Sequence, residues 1–433
     1  MPTGLNFWRV VSTPAPASRM KPDRLPNEFH AYWETLDRPG VRRLRAAFQL
    51  VLGFDLVPPD EKVLLYGHGH YDADPLAEEF VAQVYDRMGT KVGRTMLETA
   101  LEHGIGAVDD PPMSLVRLME DVDEEPSWLD WSLIDRGAKV FRGFGPAAAA
   151  SAGSGTLLAY TESSIAKPLS LTGTYTGGSA LRRFMETQRH TFDVSEQDGL
   201  RRGGAGRATS VRVRIMHVYL RRKIGGHEEW DEAAWGVPIN QSDALITLMS
   251  GSVINAWGMR LIGHPVSNAD IAALMHLWRY VGHIMGVHPR WYPATPQEGM
   301  QLGAVYFLKR AYSAGDDGAE LINSYLPAFK PKSGRGWKRR IRDEFNYRVQ
   351  IGYTRFWLPG VFYRQYDMPF PWPWALHPIL QIPANLAVGI GRKISPRFDS
   401  AMDRYCRWRR QTWWTNEMGV QKSRFAAREE FRR

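Results

Sequence analysis

Arg214, His217 and Arg221 stand three and four residues apart in the run RATSVRVRIMHVYLRRKI, residues 207–224. In a helix such residues share a face, so one imidazole would sit between two guanidiniums, one turn to either side. At about 100° per residue, both arginines fall roughly 40–60° to one side of His217. Val213, Leu220 and Ile224 fall to the other side. An imidazole with an apolar wall on one flank and paired positive charge on the other has the layout a haem asks for. It offers a nitrogen for iron, apolar surface for the macrocycle and cations for two propionates. A buried arginine also demands an anionic partner, because an uncompensated buried charge is costly. The alternative is a surface helix with a basic face, and Arg212, Arg222 and Lys223 supply such a face on the side away from His217.

Other residues offer further chemistry. Arg183 and Thr187 lie four apart in SALRRFMETQRH, where a guanidinium and a hydroxyl could converge on bound oxygen or a propionate, or form an exposed polar stripe. His68-Gly-His70-Tyr-Asp72-Ala-Asp74 follows the strand-like Lys62–Tyr66. Alternating His/Asp ligands after a strand resemble the start of a dinuclear metallohydrolase site of the metallo-β-lactamase type. That pattern has a histidine directly after the aspartate, where this chain has Ala73, and Asp72 or Asp74 also reads as the cap of a helix beginning near Pro75. His276 and His283, seven apart, could line one face of a helix over 269–286, among Trp278, Tyr280 and Met285. There is no nucleophile elbow, phosphate-binding glycine loop or dinucleotide fingerprint.

The elements that must position these residues read as helices. Val41–Leu52, Pro75–Arg87 and Thr90–Glu102 carry apolar residues at three- and four-residue spacing. Residues 143–157, GFGPAAAASAGSGTL, suit either a linker or a close-packed helix start. A helix capped by Thr176 or Ser179 carries Arg183. After Pro238, Asn240 or Ser242 caps a long apolar helix running to about Leu261, and Ser267 or Asn268 caps the next. Two further helical stretches lie near 298–312 and 316–326. Residues 1–27 read as an N-terminal arm, 28–400 as one large all-α domain, and 401–433 as a basic C-terminal tail.

Composition narrows the class. The 433 residues are 44% hydrophobic and include sixteen tryptophans, enough for a large core around a flat or greasy ligand. A net charge of +9 is concentrated at Lys330–Arg342 and Arg404–Arg433, but no nucleic-acid-binding motif accompanies it. Cys406 is the only cysteine, which excludes an intramolecular disulfide and an iron–sulfur cluster. The N-terminus lacks a secretory h-region, and Ala375–Ile390 falls short of a membrane span. A soluble, cytoplasmic protein that can approach membranes peripherally is expected.

The motifs together resemble a known family, the catalytic domain shared by bacterial rubber oxygenases (latex clearing protein) and the fungal endoplasmic-reticulum-bound oxygenase mpaB. The ordered series is Arg183-x-x-x-Thr187, Arg214-x-x-His217-x-x-x-Arg221, Gly236-Val-Pro-Ile-Asn240-Gln241, Trp278-Arg-Tyr-Val-Gly282 and Gly286-Val287, covering roughly 140–370 with a weaker echo at Asp72–Ala77. The resemblance implies a globin-like helical core wrapped by extra helices, and one haem b held by His217 as proximal iron ligand. It implies cofactor-supporting roles for Arg214, Arg221 and Arg348, and places Arg183 and Thr187 near the haem pocket. It further implies use of dioxygen on an apolar small-molecule or polymer substrate, of isoprenoid or lipid type, with oxidative cleavage of a double bond. Rubber oxygenases carry a lysine just before the threonine; this chain has Glu186, a carboxylate that could act as base or proton relay. A haem carrier or sensor without turnover would use the same His/Arg face, and the metallohydrolase at His68, His70 and Asp72 is the remaining alternative.

Overall fold

The computed structural model describes residues 24–173, 179–332 and 336–418. Every regular element among them is a helix, with no strand among the described residues. The helices that matter for the site are α1 (Pro75–Phe80), α2 (Met113–Asp123), α3 (Trp131–Gly143), α4 (Pro146–Ala159), α5 (Ala180–Val194), α6 (Ala205–Gly225) and α7 (Gln241–Met249). They are followed by α8 (Asn268–Ile284), α9 (Trp337–Trp357), α10 (Ile382–Ile394) and α11 (Pro396–Met418).

The core is organised on α8. Ser267 and Asp270 close a capping box at its start, which satisfies backbone donors that would otherwise be unpaired. Ile271, Leu274, Leu277, Val281 and Ile284 are all buried, so the helix is covered on most sides by neighbours. Helix α3 crosses it closely because Gly137 has no side chain. A Cβ there would lie 2.4 Å from the Ala273 carbonyl oxygen and force the two helices apart. The small-residue run expected as linker or helix start is the helix α4, whose Ala148, Ala149, Ala150 and Gly153 are buried.

Most expected elements are present. Asn240 accepts from the Asp243 N–H and caps α7, which continues through a π-turn at Ser250–Ile254 and a further helix at Asn255–Leu261. Asp74 caps α1, accepting from the Ala77 N–H. Three readings differ. Lys62–Tyr66 is no strand but part of the helix Asp60–His68, because Pro59 with Asp60 and Glu61 in the first turn favours a helix start. The body begins before Glu28, with Leu25 packed on the core and Arg24 ion-paired to Glu232 at 2.8 Å. The segment from 401 to 418 is no free tail: it continues α11, burying Cys406 and Arg410. The Arg410 guanidinium donates to Ser195 Oγ (2.8 Å) and Glu196 Oε1 (2.6 Å). Thr176 and residues 1–23, 174–178, 333–335 and 419–433 lie outside the described residues.

Candidate functional site

His217 lies at the middle of α6, whose Val211, Ile215 and Val218 are embedded in the main core. Its ring is partly buried, and neither nitrogen is hydrogen-bonded among the described residues. Burial, and then the positive charges of Arg221 and Arg183, lower its pKa to about 3. The imidazole is therefore neutral at physiological pH and keeps a lone pair for a ligand.

One turn earlier, Arg214 points elsewhere. Its side chain is 1% exposed, and its Nε–H and Nη2–H donate to the two carboxylate oxygens of Asp74 at 2.7 and 3.0 Å. Nη1 donates to Asp121 Oδ2 at 2.6 Å and to the Ile284 carbonyl at 3.4 Å. Burial alone would raise the Asp74 carboxyl, yet the Arg214 charge and hydrogen bonds bring it below its ordinary value. The buried arginine thus finds its anions within the protein, in the cap of α1 and the last turn of α2. Gly286 makes this possible: its φ is +70°, and a Cβ there would sit 2.2 Å from Asp74 Oδ2 and 2.5 Å from Arg214 Nε.

Arg221 is spent in a similar way. Its Nε–H donates to the Pro238 carbonyl (3.0 Å), Nη2–H to the Ile239 carbonyl (2.6 Å) and Nη1–H to Glu78 Oε1 (3.3 Å). Ile239 has φ +50°, a left-handed conformation that is costly for a β-branched residue and has to be held by its surroundings. Arg221 grips that turn from one side. From the other, the Val237 N–H donates to the His70 carbonyl and the Gln241 N–H to the Asp72 carbonyl. The Gln241 side chain then donates to the Ala73 and Gly286 carbonyls (2.8 and 2.9 Å) and accepts from the His288 N–H (2.7 Å). The stretches 72–75, 236–241 and 286–288 therefore converge on one buried lattice around α6. In this structure Arg214 and Arg221 are anchors of the His217 helix, not cations turned toward an external anion.

The other expected residues divide. Helix α5 packs along α6 and brings Arg183 beside His217, with its Nη2 3.7 Å from Met216 Sδ. Glu186 is buried, accepting from Arg182 Nε (3.3 Å) and Arg183 Nη1 (3.4 Å). Thr187 is exposed, and its hydroxyl donates to the Arg183 carbonyl at 3.3 Å. His190, one further turn along, shares a 3.0 Å hydrogen bond with Ser210 Oγ of α6. Arg348 is on α9, ion-paired to Glu344 at 2.6 Å and lying over the Tyr347 ring on its own helix.

The alternative metal cluster is not assembled. His70 Nδ1 faces the Tyr66 and Gly67 carbonyls (3.1 and 3.0 Å), and Asp72 is clamped by Arg290 at 2.6 and 3.1 Å. No group of three or more His, Cys, Asp or Glu is arranged to hold a metal ion among the described residues. His276 accepts from the Asp130 N–H, His283 Nε2 lies 3.3 Å from the Glu124 carbonyl, and Trp128 packs on both rings. They are core-edge residues.

The motif series now has both a geometry and relatives. Residues 140–381 match the family described as ER-bound oxygenase mpaB/B'/Rubber oxygenase, catalytic domain. The chain belongs to this family. It is 28% identical over 230 residues to a rubber oxygenase of Streptomyces sp. (strain K30), a match covering 52% of this chain and 56% of that relative. The chain thus spans little more than half the length of that relative. Among solved structures it is similar to latex clearing protein LCP in the closed state, with a TM-score of 0.59 and 21% identity, over 78% of this chain and 91% of that one. That likeness is one of fold, an all-α body with a globin-like core and surrounding helices.

Proposed function

We propose that this mpaB/rubber-oxygenase family member is a haem b-dependent oxygenase that uses dioxygen on an apolar substrate of isoprenoid or lipid type. The observation that carries this reading is His217, a neutral imidazole with no hydrogen-bond partner among the described residues, at the middle of α6 and within the stretch that matches the family. His217 would hold the iron, and Val213 and Leu220 would contribute apolar surface beside the macrocycle. When bound, haem supplies the redox chemistry that activates dioxygen.

The propionates need cations, and Arg214 and Arg221 are committed to protein partners. Arg183 is the partly exposed cation beside His217 and would take that role or place positive charge next to the reacting groups. Thr187 would offer a hydroxyl from the same helix. Glu186, between Arg182 and Arg183, would hold or move a proton at a carboxylate oxygen. Arg348 would act only through its own helix. Cleavage of a carbon–carbon double bond would place one atom of dioxygen in each of two carbonyl products.

The test is direct. Purified protein supplied with haem should show a Soret band, and His217→Ala should abolish it while leaving the helical circular dichroism unchanged. No Soret band, or full haem occupancy in His217→Ala, would sink the reading. Oxygen uptake with an isoprenoid alkene, and carbonyl products, separate an oxygenase from a haem carrier or sensor.

A further inference from the structure

Among the described residues, the C-terminal third exposes a band of large apolar side chains. Trp337, Ile341 and Phe345 of α9 are four residues apart, share a face and are exposed. The Phe345 ring meets Trp374 and His377 at 5.6 and 6.1 Å, joining that face to the turn that exposes Leu376, Ile379 and Leu380. Directly afterwards α10 repeats the spacing with Leu386, Ile390 and Ile394, which are 44%, 56% and 75% exposed. The opposite side of α10 is anchored. Gly389 lies against Pro265, and the Asn385 amide donates to the Ile262 carbonyl at 2.8 Å. The outward stripe therefore belongs to a packed helix and is larger than scattered surface hydrophobes would produce.

Charge identifies the partner. Residues 368–398 carry Arg392, Lys393 and Arg397 and no Asp or Glu, and while Arg392 is paired to the bordering Asp399 at 2.7 Å, Lys393 and Arg397 are exposed. On α9, the exposed Lys338 and Arg340 flank the Trp337–Ile341 stripe, while Arg339 turns to the other side and donates to the Asn416 carbonyl at 3.1 Å. A second copy docked face to face would bring these cations together, which opposes self-association. The chain's own ends, 1–23 and 419–433, lie outside the described residues and are also net positive. No helix among the described residues is long and apolar enough to cross a membrane. An amphipathic helix of this size with flanking cations instead lies in the plane of a lipid–water interface.

We infer that this face docks on an anionic phospholipid bilayer, with α10 in the interface plane and the α9 cations against the headgroups. Docking of this kind needs no cofactor, and it would bring the protein to the phase in which apolar substrates dissolve. Sedimentation of the full chain with vesicles tests it, comparing phosphatidylcholine alone with phosphatidylcholine containing phosphatidylglycerol. Binding is expected only to the anionic vesicles and should weaken with salt. Lys338→Glu and Arg340→Glu together should lower the partition on the order of thirtyfold. Leu386→Glu, Ile390→Glu and Ile394→Glu together should lower it at least about tenfold, with an unchanged melting temperature because these side chains are exposed. Equal binding to neutral vesicles, insensitivity to salt, or full binding by the α10 variant overturns the inference. So does a wild-type dimer that the α10 variant dissociates, seen without any vesicle binding.

Discussion

Arg214 and Asp74 form a buried two-pronged ion pair, 140 residues apart in sequence and one helical turn from His217. The pair ties α6 to the cap of α1, and Asp121 on α2 accepts from the remaining Arg214 Nη1–H at 2.6 Å. It explains why a helix with an arginine either side of a histidine can be almost wholly buried. The cations are neutralised from within, and of the three residues His217 is the one with no hydrogen bond among the described residues.

Breaking this pair should be costly. Asp74→Ala leaves Arg214 with Asp121 as its only carboxylate and removes the α1 cap, so a loss of about 3–5 kcal/mol is expected in denaturant unfolding. Gly286→Ala should approach the same loss, since its Cβ would collide with the pair and its φ is positive. A loss below about 1 kcal/mol in both would show that the pair is not an anchor.

Arg221→Lys keeps the charge but loses the fork that reaches two carbonyls at once. Each carbonyl left unpaired costs about 1–3 kcal/mol, and the strained Ile239 turn loses its clamp. A lower melting temperature is expected, together with faster amide exchange at Val237 and Gln241, whose N–H groups bond across that turn.

Thr187→Val separates chemistry from packing. The side chain is exposed and its hydroxyl donates to a backbone carbonyl of its own helix, so stability should change by less than about 0.5 kcal/mol. A loss of substrate-dependent oxygen uptake at unchanged Soret intensity would then report a role at the reacting groups. Unchanged uptake would remove Thr187 from the site.

Acid should destabilise the fold through its buried histidines. Burial lowers the pKa of His70 and of His190 from 6.5 to about 4, with the Lys309 charge adding to the effect on His70. The unfolded chain binds protons more readily between these values. Stability is therefore fully present above about pH 6.5 and is lost as the pH falls toward 4, by on the order of 1.4 kcal/mol per pH unit for each histidine. Denaturant midpoints measured from pH 7 to 4 check this, and His190→Gln should flatten the curve.

The helical class and most helix positions are legible in the sequence, because they rest on local rules, whereas the placing of Arg183 near His217 comes from the family resemblance. Three- and four-residue spacing sets which side chains share a helix face, and Ser, Asn and Asp caps mark where helices begin. The short run Lys62–Tyr66 misleads because five residues fit either periodicity, and the segment after 401 misleads because charge alone does not reveal that Arg410 finds Glu196.

Residue spacing and order suffice for an all-α chain with a histidine helix and the ordered motifs of its family. Which way each arginine on that helix turns was decided only by the tertiary structure. Asp74, Asp121 and the Pro238–Ile239 carbonyls reach Arg214 and Arg221 from distant segments. A buried guanidinium takes whichever acceptors the fold delivers, and their arrival depends on how α1, α2 and the 236–241 turn pack, which no spacing along α6 encodes.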